Sequence, residues 1–162
     1  MCGRKVCPYG LSLPRSRTDV LAAAVVRQLA GSLMGTCTLW SHSIKLAAQP
    51  ISASRSREFV RQHLAGHGLS HLSDDVELVV SELATNAMVH AATSFKVSLH
   101  AFEQTLLLEV EDGSQVGPSL VAARVLDTNG RGMAIVDLLS RDWGVNTHGA
   151  GGKTVWAEFS LL

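Results

Sequence analysis

The sequence predicts an α+β fold, a two-layer sandwich in which a mostly antiparallel sheet carries helices on one face. Five segments have the apolar patterning and flanking turn residues of strands, and four of them fall in two adjacent pairs. Three segments repeat apolar residues with helical spacing, and they separate the strands. Adjacent strand pairs with helices between them favour an antiparallel α+β sheet over an alternating βαβ arrangement.

The composition fits one globular domain and excludes several function classes. The 162 residues are 46% hydrophobic and 17% charged, which allows a sizeable core. Fourteen basic residues balance fourteen acidic ones, so the chain has no excess positive charge that would favour binding to nucleic acid or to an anionic membrane. The apolar run at 20–26 is too short to cross a bilayer. Cys2, Cys7 and Cys37 lack zinc-site spacing and indicate free thiols, so we expect a cytoplasmic protein.

Residues 1–38 are expected to form an N-terminal extension to a domain at 39–162. The start of the extension lacks periodicity, which predicts disorder or loose packing, and residues 18–33 have the composition of a short helix. Met34 lies just before the first predicted strand. The extension is therefore either a real appendage or a start assigned too far upstream.

The first predicted strand begins near Leu39, where side chains alternate along "TLWSHSIKL". The next segment, "SASRSREFVRQHLAGHG", predicts a helix that opens with capping serines and ends in glycines. His63, His67 and His71 are spaced by four along this region, but the intervening glycines break the helix. That pattern indicates surface or packing histidines that do not share a face, rather than a metal site.

A second helix is predicted over "SDDVELVVSELATNAMVHA", with Ser73 as its N-cap and acidic residues in its first turn. The residues expected to pack on the sheet are Val76, Val79, Val80, Leu83 and Ala87. Glu82, Asn86 and His90 follow at intervals of four, so they form a polar row on a neighbouring face. Such a row either lines a cleft or is a solvated stripe beside the core.

The rest of the chain predicts a hairpin, a helix and a second strand pair. "SFKVSLHA" and "TLLLEVED" alternate apolar residues across a link short enough for a hairpin. A helix is predicted from about Gly132 to Ser140, and "DWGVNTH" and "KTVWAEFS" predict strands joined by the turn "GAGG". Trp40, Trp143 and Trp156 fall in strands, where core packing is expected rather than base stacking.

Two glycine-containing motifs have the residue types of a nucleotide site. Asp112 ends a core strand, where its carboxylate can accept from an exocyclic amine, and Gly113 allows a flat ring to approach the backbone. Gly130 and Gly132 stand where a loop enters a helix, which leaves backbone amides to face a polyphosphate. Asp-Gly is also an ordinary turn dipeptide, so neither motif is specific by itself.

The combination of E-x-x-x-N on a helix, D-G after a strand and G-x-G before a helix resembles the GHKL (Bergerat-fold) ATPases. This family includes histidine-kinase catalytic domains, gyrase-type ATPases and anti-sigma-factor serine kinases. The likeness runs from about residue 39 to 162. "ELATNAMVHA", "DGSQVGP", "GRGM" and "GGKTVWAEF" look most like the small anti-sigma kinase branch. The short segment between the glycine motifs implies a small lid over any bound nucleotide.

The resemblance implies roles for individual residues. Glu82 would be the general base, and Asn86 would hold Mg²⁺ beside the phosphates of ATP. Asp112 would accept from the adenine amine, and Gly113 would allow that approach. The expected lid hinge and phosphate loop consists of Gly130, Arg131, Gly132 and Met133. Thr154 would support the adenine site through a water molecule, and His90 would lie near the phosphates.

The resemblance also implies a function: an anti-sigma factor that is an ATP- and Mg²⁺-dependent serine/threonine protein kinase. Its partners would be a sigma factor and an anti-anti-sigma protein, which receives the phosphate, and a homodimer is plausible because small relatives often pair. The alternative is a non-catalytic module that binds ATP or ADP and regulates a partner through nucleotide-dependent binding. A third reading, in which the polar row is only solvated surface, predicts no nucleotide binding.

Overall fold

The computed structural model describes residues 38–114, 131–148 and 151–162. Four sequence-based expectations lie outside them: the N-terminal extension apart from its last residue, the small lid between the glycine motifs, the placement of Gly130 and the first half of the turn "GAGG". The described residues form an α+β fold with an antiparallel sheet, as the sequence predicts. No helix among the residues described is long and apolar enough to cross a membrane.

Eight helices and strands follow one another in the described residues in the predicted order. They are β1 (Trp40–Leu46), α1 (Ile51–Gly66), α2 (Ser73–Ala91), β2 (Phe95–Ala101), β3 (Thr105–Asp112), α3 (Arg131–Leu139), β4 (Asp142–Thr147) and β5 (Lys153–Ser160). A short 3₁₀ turn at Ser70–Leu72 leads into α2.

The sheet has the strand order β1-β2-β3-β5-β4, and every neighbouring pair is antiparallel. β2 and β3 form the predicted hairpin, closed by a hydrogen bond from the Phe102 amide to the Thr105 carbonyl at 2.8 Å. β5 lies between β3 and β4, so the last described strand pairs with β3 in the interior of the sheet. This register places Lys153 opposite Asp112.

One face of the sheet packs against the helices. Alternate residues of β3 are buried, and their register partners on β5 belong to the same core as the apolar residues of α1 and α2. The strand residues concerned are Leu106, Leu108, Val110, Val155, Ala157 and Phe159. The other face carries cross-strand ion pairs, Lys96 with Glu111 at 2.7 Å and His100 with Glu109 at 3.2 Å. The two-layer arrangement therefore follows directly from the period-two pattern of the strands.

The predicted serine caps are wrong. α2 begins at Ser73, which has helical dihedrals (φ −57°, ψ −45°) because the preceding 3₁₀ turn already curls the chain, whereas an N-cap needs an extended backbone. No side chain caps α2. Pro50 precedes α1, and Ser52 donates its hydroxyl hydrogen to the Ala47 carbonyl at 2.7 Å instead of accepting from the helix amides.

Candidate functional site

The polar row on α2 meets the first turn of α3. Glu82 and Asn86 are one helical turn apart and half-exposed, while the apolar side chains of α2 fill the core. Gly132 is buried at the start of α3, and Met133 packs against the core. The structure therefore brings four of the predicted site residues together.

Gly132 lies in close contact with the carboxylate of Glu82. A Cβ atom added to this glycine would stand 2.6 Å from Oε2 of Glu82, well inside van der Waals contact. The glycine thus leaves room for the carboxylate beside the backbone at the helix start. Backbone amides in the first turn of a helix have no intrahelical partner, which makes this turn suited to an anion.

Asn86 is held from the opposite helix by a weak contact. Its side-chain nitrogen donates to Sδ of Met133 at 3.8 Å, so the amide oxygen is directed away from the sulfur. Amide and carboxylate oxygens are the protein ligands that Mg²⁺ prefers. Asn86 and Glu82 therefore supply the donor chemistry that a phosphate-bound Mg²⁺ requires.

Asp112 is a buried carboxylate at the end of β3, with 4% of its surface exposed. Its Oδ1 accepts from the backbone amide of Ser114 at 2.8 Å, and its Oδ2 lies 3.3 Å from Nζ of Lys153. Lys153 is itself only 3% exposed. The orientation of the buried Asp112 carboxylate is therefore set on one oxygen by a turn amide and on the other by a lysine side chain of the neighbouring strand.

The backbone around Asp112 is packed tightly by two glycines. The Gly113 amide donates to the Thr93 hydroxyl at 3.3 Å, which ties the D-G turn to the link between α2 and β2. Gly152 has φ +112°, and a Cβ there would stand 2.8 Å from the carbonyl oxygen of Asp112. Thr93 was not predicted from the sequence, because its contact joins segments that are distant along the chain.

Thr154 lies on the opposite face of the sheet from Asp112. It pairs with Glu111 in the register of β3 and β5, and its hydroxyl meets Nε2 of His148 at 2.8 Å. The ion pair with Lys96 lowers the pKa of Glu111 on that same face. Lys153, one residue earlier, is the side chain that reaches Asp112. The expected adenine-side role of Thr154 stays a prediction that the geometry does not favour.

For the other predicted site residues the structure gives a position along the chain but no contact with the rest of the site. His90 is exposed in the last turn of α2, where a basic group complements the helix dipole. Arg131 opens α3, and Gly130 lies outside the described residues.

A histidine cluster (Trp40, His42, His63 and His67) joins β1 to the end of α1. His42 and His63 stack with ring centroids 3.9 Å apart, and Trp40 and His67 stack at 4.1 Å. The expectation that His63 and His67 do not share a face is wrong, since both contact His42. Burial first, and the charges of His42 and His67 next, lower the pKa of His63. Among the described residues no group of three or more potential ligands is arranged to hold a metal ion.

Comparisons with known proteins identify the family and support the fold. A family model described as "Histidine kinase-like ATPase domain" matches residues 46–159, and no curated protein matches the chain. A similar solved structure contains the RsbU and RsbW domains of Rv1364c from Mycobacterium tuberculosis, at 24% identity and a TM-score of 0.57. The match covers 74% of this chain and 31% of that one, and at this identity it shows the fold alone. Because the family model spans most of the sequence, the chain belongs to the histidine kinase-like ATPase domains, a nucleotide-binding family.

Proposed function

We propose that this chain is an ATP-dependent serine/threonine protein kinase that acts as an anti-sigma factor in the cytoplasm. Its partners would be a sigma factor, which it sequesters, and an anti-anti-sigma protein, which it phosphorylates. The contact between the Glu82–Asn86 row and the Gly132–Met133 turn carries the proposal. It places a carboxylate and an amide beside a helix start suited to phosphate. The motifs "ELATNAMVHA" and "GGKTVWAEF", which resemble the anti-sigma kinase branch, support this choice within the family.

Glu82 supplies the base for phosphoryl transfer. Its carboxylate accepts the proton of the attacking serine or threonine hydroxyl, whose oxygen forms a bond to the γ-phosphorus of ATP. The bond from the γ-phosphorus to the bridging oxygen breaks, and ADP leaves. Asn86 is the residue that would hold Mg²⁺, which offsets the negative charge on the phosphates. The backbone amides near Gly132 orient the phosphate chain.

Asp112 selects the base of the nucleotide. An ionised carboxylate only accepts hydrogen bonds, so it pairs with the exocyclic amine of adenine and repels the carbonyl oxygen that guanine has at the same ring position. Burial increases this discrimination, because an unsatisfied polar group away from water is costly.

Calorimetric titration of ATP with Mg²⁺ tests the proposal, with GTP as the competing nucleotide. Wild type should bind ATP saturably and GTP at least about tenfold more weakly. Asp112→Asn should weaken ATP binding by about tenfold or more. Glu111→Gln is the matched control, because this neighbour faces the other side of the sheet and should leave the Kd unchanged. Absence of saturable ATP binding by wild type would overturn the proposed function.

A further inference from the structure

Lys153 is a buried lysine in a row of β5 whose other members are apolar core residues. It stands in a row of core-facing residues of β5, and the next residues in that row are Val155 and Ala157. Lysine is almost never fully buried without a partner, and here Nζ lies 3.3 Å from Asp112, the carboxylate assigned above to the base of the nucleotide. The nucleotide-binding role of Asp112 does not by itself require such a neighbour.

The geometry leaves Asp112 able to accept a further hydrogen bond. A carboxylate has about four lone-pair positions on its two oxygens. The Ser114 amide uses one on Oδ1 at 2.8 Å, and Lys153 approaches Oδ2 at 3.3 Å, longer than the ~2.7–2.9 Å typical of a charged pair. Each oxygen therefore retains a position for a donor from a ligand.

We propose that Lys153 is a positioning residue for base recognition: it orients the Asp112 carboxylate so that it accepts from the exocyclic amine of the nucleobase. This inference rests on the proposed function, since it presumes that Asp112 meets the base. Lys153 acts through Asp112 and takes no part in phosphoryl transfer.

Orientation matters because a carboxylate accepts a hydrogen bond only where one of its lone pairs faces the donor. The turn amide of Ser114 holds Oδ1, and Lys153 holds Oδ2 from the neighbouring strand. Removal of the lysine charge should therefore weaken ATP binding and reduce the preference for ATP over GTP.

A buried carboxylate further along β5 provides a matched control. Glu158 is also buried, but it pairs with Leu107 in the register and its carboxylate lies 3.7 Å from Arg141. A general disturbance of β5 would affect nucleotide binding in Lys153→Met and Glu158→Gln alike. A specific action through Asp112 affects only the first of these variants.

The experiment measures the Kd for ATP with Mg²⁺ and for GTP by calorimetry. Lys153→Met should weaken ATP binding about tenfold and reduce the preference for ATP over GTP. Lys153→Arg should stay within about threefold of wild type because it retains the charge. Glu158→Gln should match wild type. In an Asp112→Asn background, Lys153→Met should cause no further loss, because the two residues act as one unit.

The possible outcomes separate the inference from the proposed function. If wild type does not bind ATP, the proposed function fails and the inference fails with it. If wild type binds and Lys153→Met has the same Kd for ATP and the same preference for ATP over GTP, only the inference fails. Additive losses in the double variant would likewise overturn it, because Lys153 would then act independently of Asp112.

Circular dichroism reports whether the variants are folded. Lys153→Met leaves a buried carboxylate without its cation, which is a costly change. If that variant is unfolded, the decision passes to Asp112→Asn with and without Lys153→Met. The double variant removes both charges, whereas Asp112→Asn alone leaves the Lys153 cation buried, so the double variant should be the more stable of the two. Equal Kd values in that pair, together with binding by Lys153→Arg, support the inference, and a weaker double variant overturns it.

Discussion

The two ends of the candidate site are built in different ways. The Asp112 end is fixed by strand register: β3 and β5 place Asp112 opposite Lys153, and Gly152 packs on the Asp112 backbone. The Glu82 end depends on the packing of two helices, with Gly132 of α3 against the carboxylate of α2. One end is buried and the other half-exposed.

This difference assigns separate tasks to the two ends. A register is a discrete property, since a one-residue slip turns a side chain to the other face, so the position of Asp112 opposite Lys153 is sharply defined. Helices in contact can shift by fractions of an ångström, so the Glu82 end can be adjusted by whatever packs on α2 and α3. We expect substitutions at the first end to change nucleotide binding and stability, and those at the second to change catalysis.

The largest expected effect is at Glu82. Glu82→Gln keeps the size of the side chain but removes the base, so the rate of phosphate transfer from γ-labelled ATP to an anti-anti-sigma protein should fall by about 10²–10⁴-fold. The Kd for ATP should change by less than about threefold, because the carboxylate does not bind the base of the nucleotide. Full transfer by the variant would show that another group is the base. Negligible transfer by wild type that nonetheless binds ATP would favour the non-catalytic module.

A methyl group at Gly132 should lower the rate of phosphate transfer less than Glu82→Gln does. In Gly132→Ala the new Cβ would press on Oε2 of Glu82, so the carboxylate must move and the transfer rate should fall by about ten- to a hundredfold. Gly66→Ala is the control, because no atom lies within 4 Å of the Cβ it would add. If the two variants had equal transfer rates, the contact between Gly132 and Glu82 would have no part in catalysis.

Gly152→Ala should act on the Asp112 end through stability. Its φ of +112° is strained for alanine, and the Cβ would meet a backbone oxygen at 2.8 Å, which side-chain rotation cannot relieve. Urea unfolding should show a free energy of unfolding about 1–3 kcal/mol lower than that of wild type. Gly66→Ala should stay within about 0.5 kcal/mol of wild type. A value for Gly152→Ala within that range would mean that the turn relaxes without cost.

The smallest expected effect is a pH dependence of the stability, caused by the histidine cluster. This cluster joins β1 to the end of α1, away from both ends of the candidate site. Burial and the neighbouring histidines lower the pKa of His63 from its ordinary value of 6.5, so the unfolded chain binds more protons than the folded one just below that value. Stability from this residue is therefore present above pH 6.5 and is lost as the pH falls toward the folded pKa.

The measurement compares urea midpoints at about pH 5.5 and 7.5, which bracket the ordinary titration of histidine. Wild type should lose more stability on acidification than His63→Gln does. The contact of His63 with Phe59 is lost at both pH values, so only the difference between them is informative. An identical pH response in the two proteins would contradict the assignment.

Local patterns predicted most of the fold and part of the site. The strands, the hairpin and the Glu82–Asn86 row follow from periods of two and four, which are properties of adjacent residues. The predicted N-cap at Ser73 is wrong because a 3₁₀ turn leads into α2 and gives Ser73 helical dihedrals, which prevent capping. The Lys153–Asp112 pair depends on which strands become neighbours, and the sequence "GGKTVWAEF" alone does not say which of its residues faces Asp112.

The interior position of β5 has a consequence for the order in which the protein is made. A nascent chain that has emerged as far as β4 has its β2–β3 hairpin but presents the whole length of β3 as an open edge, the arrangement most exposed to wrong pairing. Within the described sheet, β4 has no neighbour until β5 arrives. The strand that brings Lys153 to Asp112 therefore also closes that edge, so the exposed edge is covered and the Lys153–Asp112 pair is formed at the same moment of synthesis.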